Sequence, residues 1–122
     1  MLRSFLLVGL GGALGSMLRY GTGVLIGPRN FPLATLLINI IGSFIIGVVI
    51  AYSTRNESFA VNWKLFFATG ICGGFTTFSA FSFENLQLLQ SGKFGLLVLY
   101  ISTSVLFGIG AVWTGYKIFK GI

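Results

Sequence analysis

The chain has 122 residues, of which 55% are hydrophobic and only 8% charged, with no histidine and a formal net charge of +6. A soluble domain is about a quarter charged, so this composition excludes one and points to an all-α protein in lipid. Its Lys and Arg residues stand singly along the chain and not in a stripe, which excludes a nucleic-acid surface and reads as the ends of membrane spans.

A spanning helix needs about 20 mostly apolar residues. Four segments reach that length, residues 4–26, 33–52, 61–89 and 94–119, joined by short connections that leave no room for a soluble domain. They predict a single integral membrane domain over residues 1–122. So short a chain encloses little volume alone, and oligomerisation is the expectation.

The first segment opens with MLRSFLLVGLGGALGS, a basic residue, an apolar run and small residues in the manner of a secretory signal. The run continues past Arg19 to Ile26 and reaches spanning length, so it is read as the first span. Val8, Gly12 and Ser16, with Gly11 and Gly15, supply small residues for close helix approach. Arg19 is costly in hydrocarbon. It either snorkels to the interface or draws anions into a vestibule.

The turn at 27–32, GPRNFP, leads to the second segment, where Thr35, Asn39, Ser43, Gly47 and Ala51 recur every four residues. They form one small and polar stripe on a helix face, which must meet protein or water. A packing seam accounts for Ser43, Gly47 and Ala51, but the Asn39 amide requires partners at mid-membrane.

The third segment carries GICGGFTTFSAFSFE over residues 70–84. Its glycine pair weakens helix continuity, and Thr76, Thr77, Ser79 and Ser82 offer hydroxyls that compete for backbone groups. The pattern predicts a break within residues 73–79. Irregular backbone at membrane depth is tolerated only under protein or beside a watery cavity, and there it can hold ions. A plain kink or glycine packing notch is the alternative. Phe78 and Phe81 share a helical face, with Ser82 and Asn85 four residues beyond each. They either pack or turn their positive ring edges toward an anion path. Glu84 stands near the end of this segment, as a span-end acid or a vestibule residue.

In the fourth segment Tyr100, Ser104 and Gly108 share one face, and Gly108, Gly110 and Gly115 are packing residues. Four spans put Arg3, Arg55, Lys64, Lys117 and Lys120 on the side of the termini and Arg29 and Lys93 opposite. The positive-inside rule then favours cytoplasmic termini, with a bias modest enough that fixed and dual insertion both stand. Cys72 has no partner within the chain, so a disulfide framework is excluded. Without His, Asp, a Walker-type loop or a nucleophile paired with a base, an enzyme is excluded too. A proton-coupled multidrug exporter of four spans needs a carboxylate in its first span, and residues 1–26 contain none. A non-transporting assembly subunit would use the glycine seams, but leaves Asn39 and the third-segment hydroxyls without purpose.

The residues GGALGSMLRY, the asparagine of LLINIIGS and above all GICGGFTTFSAFSFE resemble the Fluc (CrcB) family of fluoride channels, and the resemblance covers nearly the whole chain. It implies a passive fluoride channel in the plasma (inner) membrane, built as an antiparallel homodimer of dual-topology subunits with two pores and a structural sodium ion. Gly73 and Thr76 match the positions whose backbone carbonyls hold the sodium, and Phe78 and Phe81 match the pore phenylalanines. Asn39 matches the residue donating its amide to the ion path. Thr77, Ser79, Ser82, Tyr100 and Ser104 match polar pore positions, and Arg19 and Glu84 match the vestibule pair. Ala80 stands where a threonine or serine is usual in that family. The uneven basic residues also fit a heterodimer with a paralogue.

Overall fold

A computed structural model describes residues 1–120, and among these every regular element is helical. In lipid each backbone polar group must find an internal partner, which a helix supplies within its own segment. The order is α1 (Leu2–Ile26), α2 (Leu33–Arg55), a short α3 (Glu57–Asn62), a π-helical segment (Leu65–Cys72), α4 (Gly73–Phe75), α5 (Phe78–Gln90) and α6 (Phe94–Lys120). Three stretches are long and apolar enough to cross a membrane: Leu33–Arg55, Leu65–Gln90 and Phe94–Lys120. The protein is therefore a multi-pass integral membrane protein. At 25 residues, α1 has spanning length too, roughly 37 Å, with its apolar character diluted by glycines and Arg19.

The helices pack in two pairs. Along α1, Gly11 and Gly15 lie against backbone of the π-helical segment and α4, and a Cβ at Gly11 would stand 2.5 Å from Phe66 O. Gly74 answers from the other side, 2.5 Å from Gly12 O on the same construction. The second pair is α2 with α6, where Gly47 meets Val112 O and Gly115 meets Phe44 O. Of the packing residues expected in the fourth segment, Gly115 makes the close approach, while a Cβ at Gly108 would reach only Ser43 Oγ at 3.9 Å and one at Gly110 would find open space. The small stripe on α2 is largely buried, Thr35 at 6% exposure, Ala51 at 0% and Gly47 also buried.

The break falls inside the expected window, but its cause differs from the one expected. Gly73 is helical at φ −62°, ψ −38°, and its neighbour Gly74 serves the α1 contact. The chain leaves the helix at Thr76 (φ −79°, ψ 154°) and Thr77 (φ −150°, ψ 120°), then re-enters as α5. At the far end of α5, Gly92 takes φ 72°, while Gly92 N–H donates to Leu89 O and Lys93 N–H to Leu88 O. This glycine-closed helix end turns the chain sharply into α6.

Candidate functional site

The break is built from side chains that replace the missing helical ladder. Asn39, on α2, bonds both backbone groups of Thr77: its Oδ1 accepts from Thr77 N–H at 2.8 Å and its Nδ2 donates to Thr77 O at 3.2 Å. The amide that the stripe placed at mid-membrane thus finds its partners in the irregular backbone. One hydrogen of Nδ2 remains for another acceptor. Thr77 Oγ1 in turn accepts from Ala80 N–H at 3.1 Å, capping α5, and lies 3.2 Å from Ser79 Oγ. Thr76 Oγ1 donates to Cys72 O at 2.8 Å, ending α4.

Around this junction lie two crevices that share Thr77. One, of about 350 Å³, is lined by Asn39, Ser43, Thr76, Thr77, Phe78, Phe81 and Ser104, with Gly42 and Gly108 in its walls. The Phe78 and Phe81 ring centroids are 5.8 Å apart. Ser104 forms part of this wall, its Oγ buried and without a hydrogen-bond partner in the protomer. The other crevice, of about 480 Å³, runs between α1, α2 and α5 past Arg19, Thr35, Thr77, Ala80 and Glu84. Arg19 does not simply snorkel, since its Nε donates to Gly74 O at 3.2 Å. Ala80 presents only a methyl here, where a hydroxyl side chain would add a polar group.

Glu84 is neither loose at a span end nor bare. Its Oε2 accepts from Thr35 Oγ1 and its Oε1 from Tyr100 Oη, each at 2.8 Å, so one carboxylate joins α2, α5 and α6. Tyr100 is fully buried and packs its ring against Phe81 at 4.9 Å between centroids. It therefore supports the Phe81 ring and lines neither crevice. Gly73, Ser79 and Ser82 stand on the open surface of the protomer, as does Phe78 at 78% exposure.

Of the residues singled out in the sequence, the structure thus gathers Asn39, Thr76, Thr77, Phe78, Phe81 and Ser104 in one crevice and Arg19 with Glu84 in the other. Thr35 stands in the small and polar stripe of α2, four residues before Asn39, but nothing in the sequence assigns it a partner. Gly42, pressed on the Thr76 methyl, gave no signal beyond being small.

Proteins named fluoride-specific ion channel FluC align along almost the full chain: one from Azobacteroides pseudotrichonymphae is 46% identical over 119 residues, 95% of each chain. One from Flavobacterium psychrophilum is 45% identical over 122 residues, 98% of each, and one from Thermus thermophilus 44% identical over 117 residues, 93% of each. The family model described as CrcB-like protein, Camphor Resistance (CrcB), matches residues 6–116, a stretch holding the break, both crevices and every side chain that builds them. The chain belongs to the CrcB family.

Proposed function

We propose that this protein is a fluoride-selective channel that lets fluoride leave the cell passively, and not an enzyme. The observation that carries the reading is the meeting of Asn39, Phe78, Phe81 and Ser104 around one crevice at a mid-span break, in a chain whose relatives are named for fluoride conduction. Fluoride is small and tightly hydrated, so a pore must replace its water with closely set donors. The remaining Asn39 amide hydrogen, the Ser104 hydroxyl and the positive edges of Phe78 and Phe81 serve as such donors without a fixed cation to trap the ion. Thr77, Ser79 and Ser82 extend a hydroxyl track along α5. Tyr100 backs Phe81, and Arg19 and Glu84 flank the approach.

The working unit in this reading is an antiparallel dimer of four-span subunits, α1 included, each a single membrane domain inserted in both orientations of the plasma (inner) membrane. Two pores result. Supporting this, an isolated protomer leaves Gly73, Ser79, Ser82 and most of Phe78 uncovered beside irregular backbone, which lipid does not tolerate. The donors at the break are backbone carbonyls, suited to a hard cation of sodium type, and one chain offers two of them, from Gly73 and Thr76. Two copies would supply four. A sodium ion bound there would join the copies electrostatically.

Fluoride and chloride efflux from liposomes holding the purified protein tests the reading. Fluoride should leave rapidly and chloride should not, and Phe78→Ile with Phe81→Ile should suppress fluoride efflux by well over tenfold, more than about 1.4 kcal/mol in the barrier. Chloride passing as fast as fluoride, or a double variant as fast as wild type, would refute it.

A further inference from the structure

In an unbroken helix each carbonyl accepts from the N–H four residues on. Gly73 O would take Thr77 N–H, and Thr76 O would take Ala80 N–H. Both donors are diverted, Thr77 N–H to Asn39 Oδ1 at 2.8 Å and Ala80 N–H to Thr77 Oγ1 at 3.1 Å. Neighbouring carbonyls are cared for differently. Cys72 O receives both Thr76 N–H at 2.9 Å and Thr76 Oγ1 at 2.8 Å, and Gly74 O receives Arg19 Nε at 3.2 Å. The side chains around the break therefore satisfy the carbonyls on either side of Gly73 and take away the donors that Gly73 and Thr76 would use. An unpaired carbonyl at membrane depth is expensive, and the diverted donors leave Gly73 O and Thr76 O without their helical partners while Cys72 O, Gly74 O and Thr77 O are bonded.

We infer that Asn39 and Thr77 are positioning residues that hold the third span open, their side chains withholding two amide protons so that the Gly73 and Thr76 carbonyls stay available to a cation. Asn39 thus has a task besides any contact with the conducted ion. The break is set from α2, across the bundle, and not by the glycine pair within the third span. The part of this inference that concerns sodium rests on the function proposed above; the part that concerns the backbone does not.

Two measurements separate them. Backbone ¹³C shifts of Thr76 and Thr77 in the detergent-solubilised full chain report helix or extended conformation, and the melting temperature in sodium against N-methylglucamine reports cation binding. Asn39→Leu and Thr77→Val should each move the shifts toward helical values and raise the sodium concentration for half-maximal stabilisation by about tenfold or more. Asn39→Asp, which keeps an oxygen facing Thr77 N–H, and Thr77→Ser, which keeps the hydroxyl, should retain extended shifts and the sodium response even where fluoride efflux falls. Should Asn39→Leu fail to fold, Thr77→Val decides alone. Extended shifts persisting in Asn39→Leu and Thr77→Val would overturn the positioning role. A wild-type melting temperature indifferent to sodium would instead overturn the cation reading, with the shifts still deciding what holds the break.

Discussion

Glu84 shows how a single acid can be made compatible with a membrane interior. A carboxylate accepting from two hydroxyls at 2.8 Å is partly resolvated by protein, and the donors come from the buried residues Thr35 and Tyr100. Removing one donor leaves a carboxyl oxygen short of a partner. Tyr100→Phe should cost about 1–2 kcal/mol, read as a lower melting temperature in detergent, and should slow fluoride efflux because the ring behind Phe81 loses its tether. Thr35→Val should cost about the same and leave the Tyr100–Phe81 contact in place, so a smaller effect on efflux is expected. At this scale the sequence was only half legible. That Asn39 needed partners followed from the price of a bare amide in lipid, but the partners lie 38 residues away, and no local pattern specifies a tertiary contact. Glu84 was equally ambiguous, because its two donors sit on other helices.

Among the elements, the pairing of α1 with the third span depends on backbones too close for side chains. A methyl at Gly11 would press on Phe66 O, Gly70 Cα and Ile71 N within 3 Å, all of them backbone atoms that cannot swing aside. Gly11→Ala should therefore destabilise by roughly 1–3 kcal/mol. Gly21→Ala, with nothing within 4 Å, should be neutral or gain up to about 1 kcal/mol from helix propensity. Thermal melts of the two variants check the contrast. The all-helical class and the long apolar stretches at Leu33–Arg55, Leu65–Gln90 and Phe94–Lys120 were readable from apolar length, and the break from its hydroxyls. The π-helical segment Leu65–Cys72 was not, since an apolar run has no mark that tells i→i+5 from i→i+4 bonding. The glycine pair misled for a related reason: in water glycine loosens a helix, but the missing Cβ of Gly74 permits the contact with Gly12 of α1 that holds the helix in place.

For the whole molecule, the proposed insertion in both orientations makes a direct prediction. With Cys72→Ser removing the native thiol, Ser91→Cys at the α5–α6 turn should be labelled by a membrane-impermeant thiol reagent in intact cells to about half the extent reached after permeabilisation. Labelling near zero or near complete would show fixed insertion and favour a heterodimer. Nothing in one chain's composition decides this, because the bias of basic residues is small. A geometric consequence follows from where the break lies, at the middle of the 26-residue stretch Leu65–Gln90. Two copies running in opposite senses are related by a two-fold axis lying in the plane of the bilayer, and only a point at half depth can meet its own counterpart across that axis. Any change in the length of α5 that lifts the break by one helical residue, about 1.5 Å, moves the two copies' breaks apart by about 3 Å. Symmetry acts as a lever of two, so in the proposed antiparallel dimer a one-residue insertion in this stretch would pull the oxygens proposed to share an ion beyond bonding distance. The central position of Thr76 and Thr77 is thus a constraint on chain length as much as on chemistry.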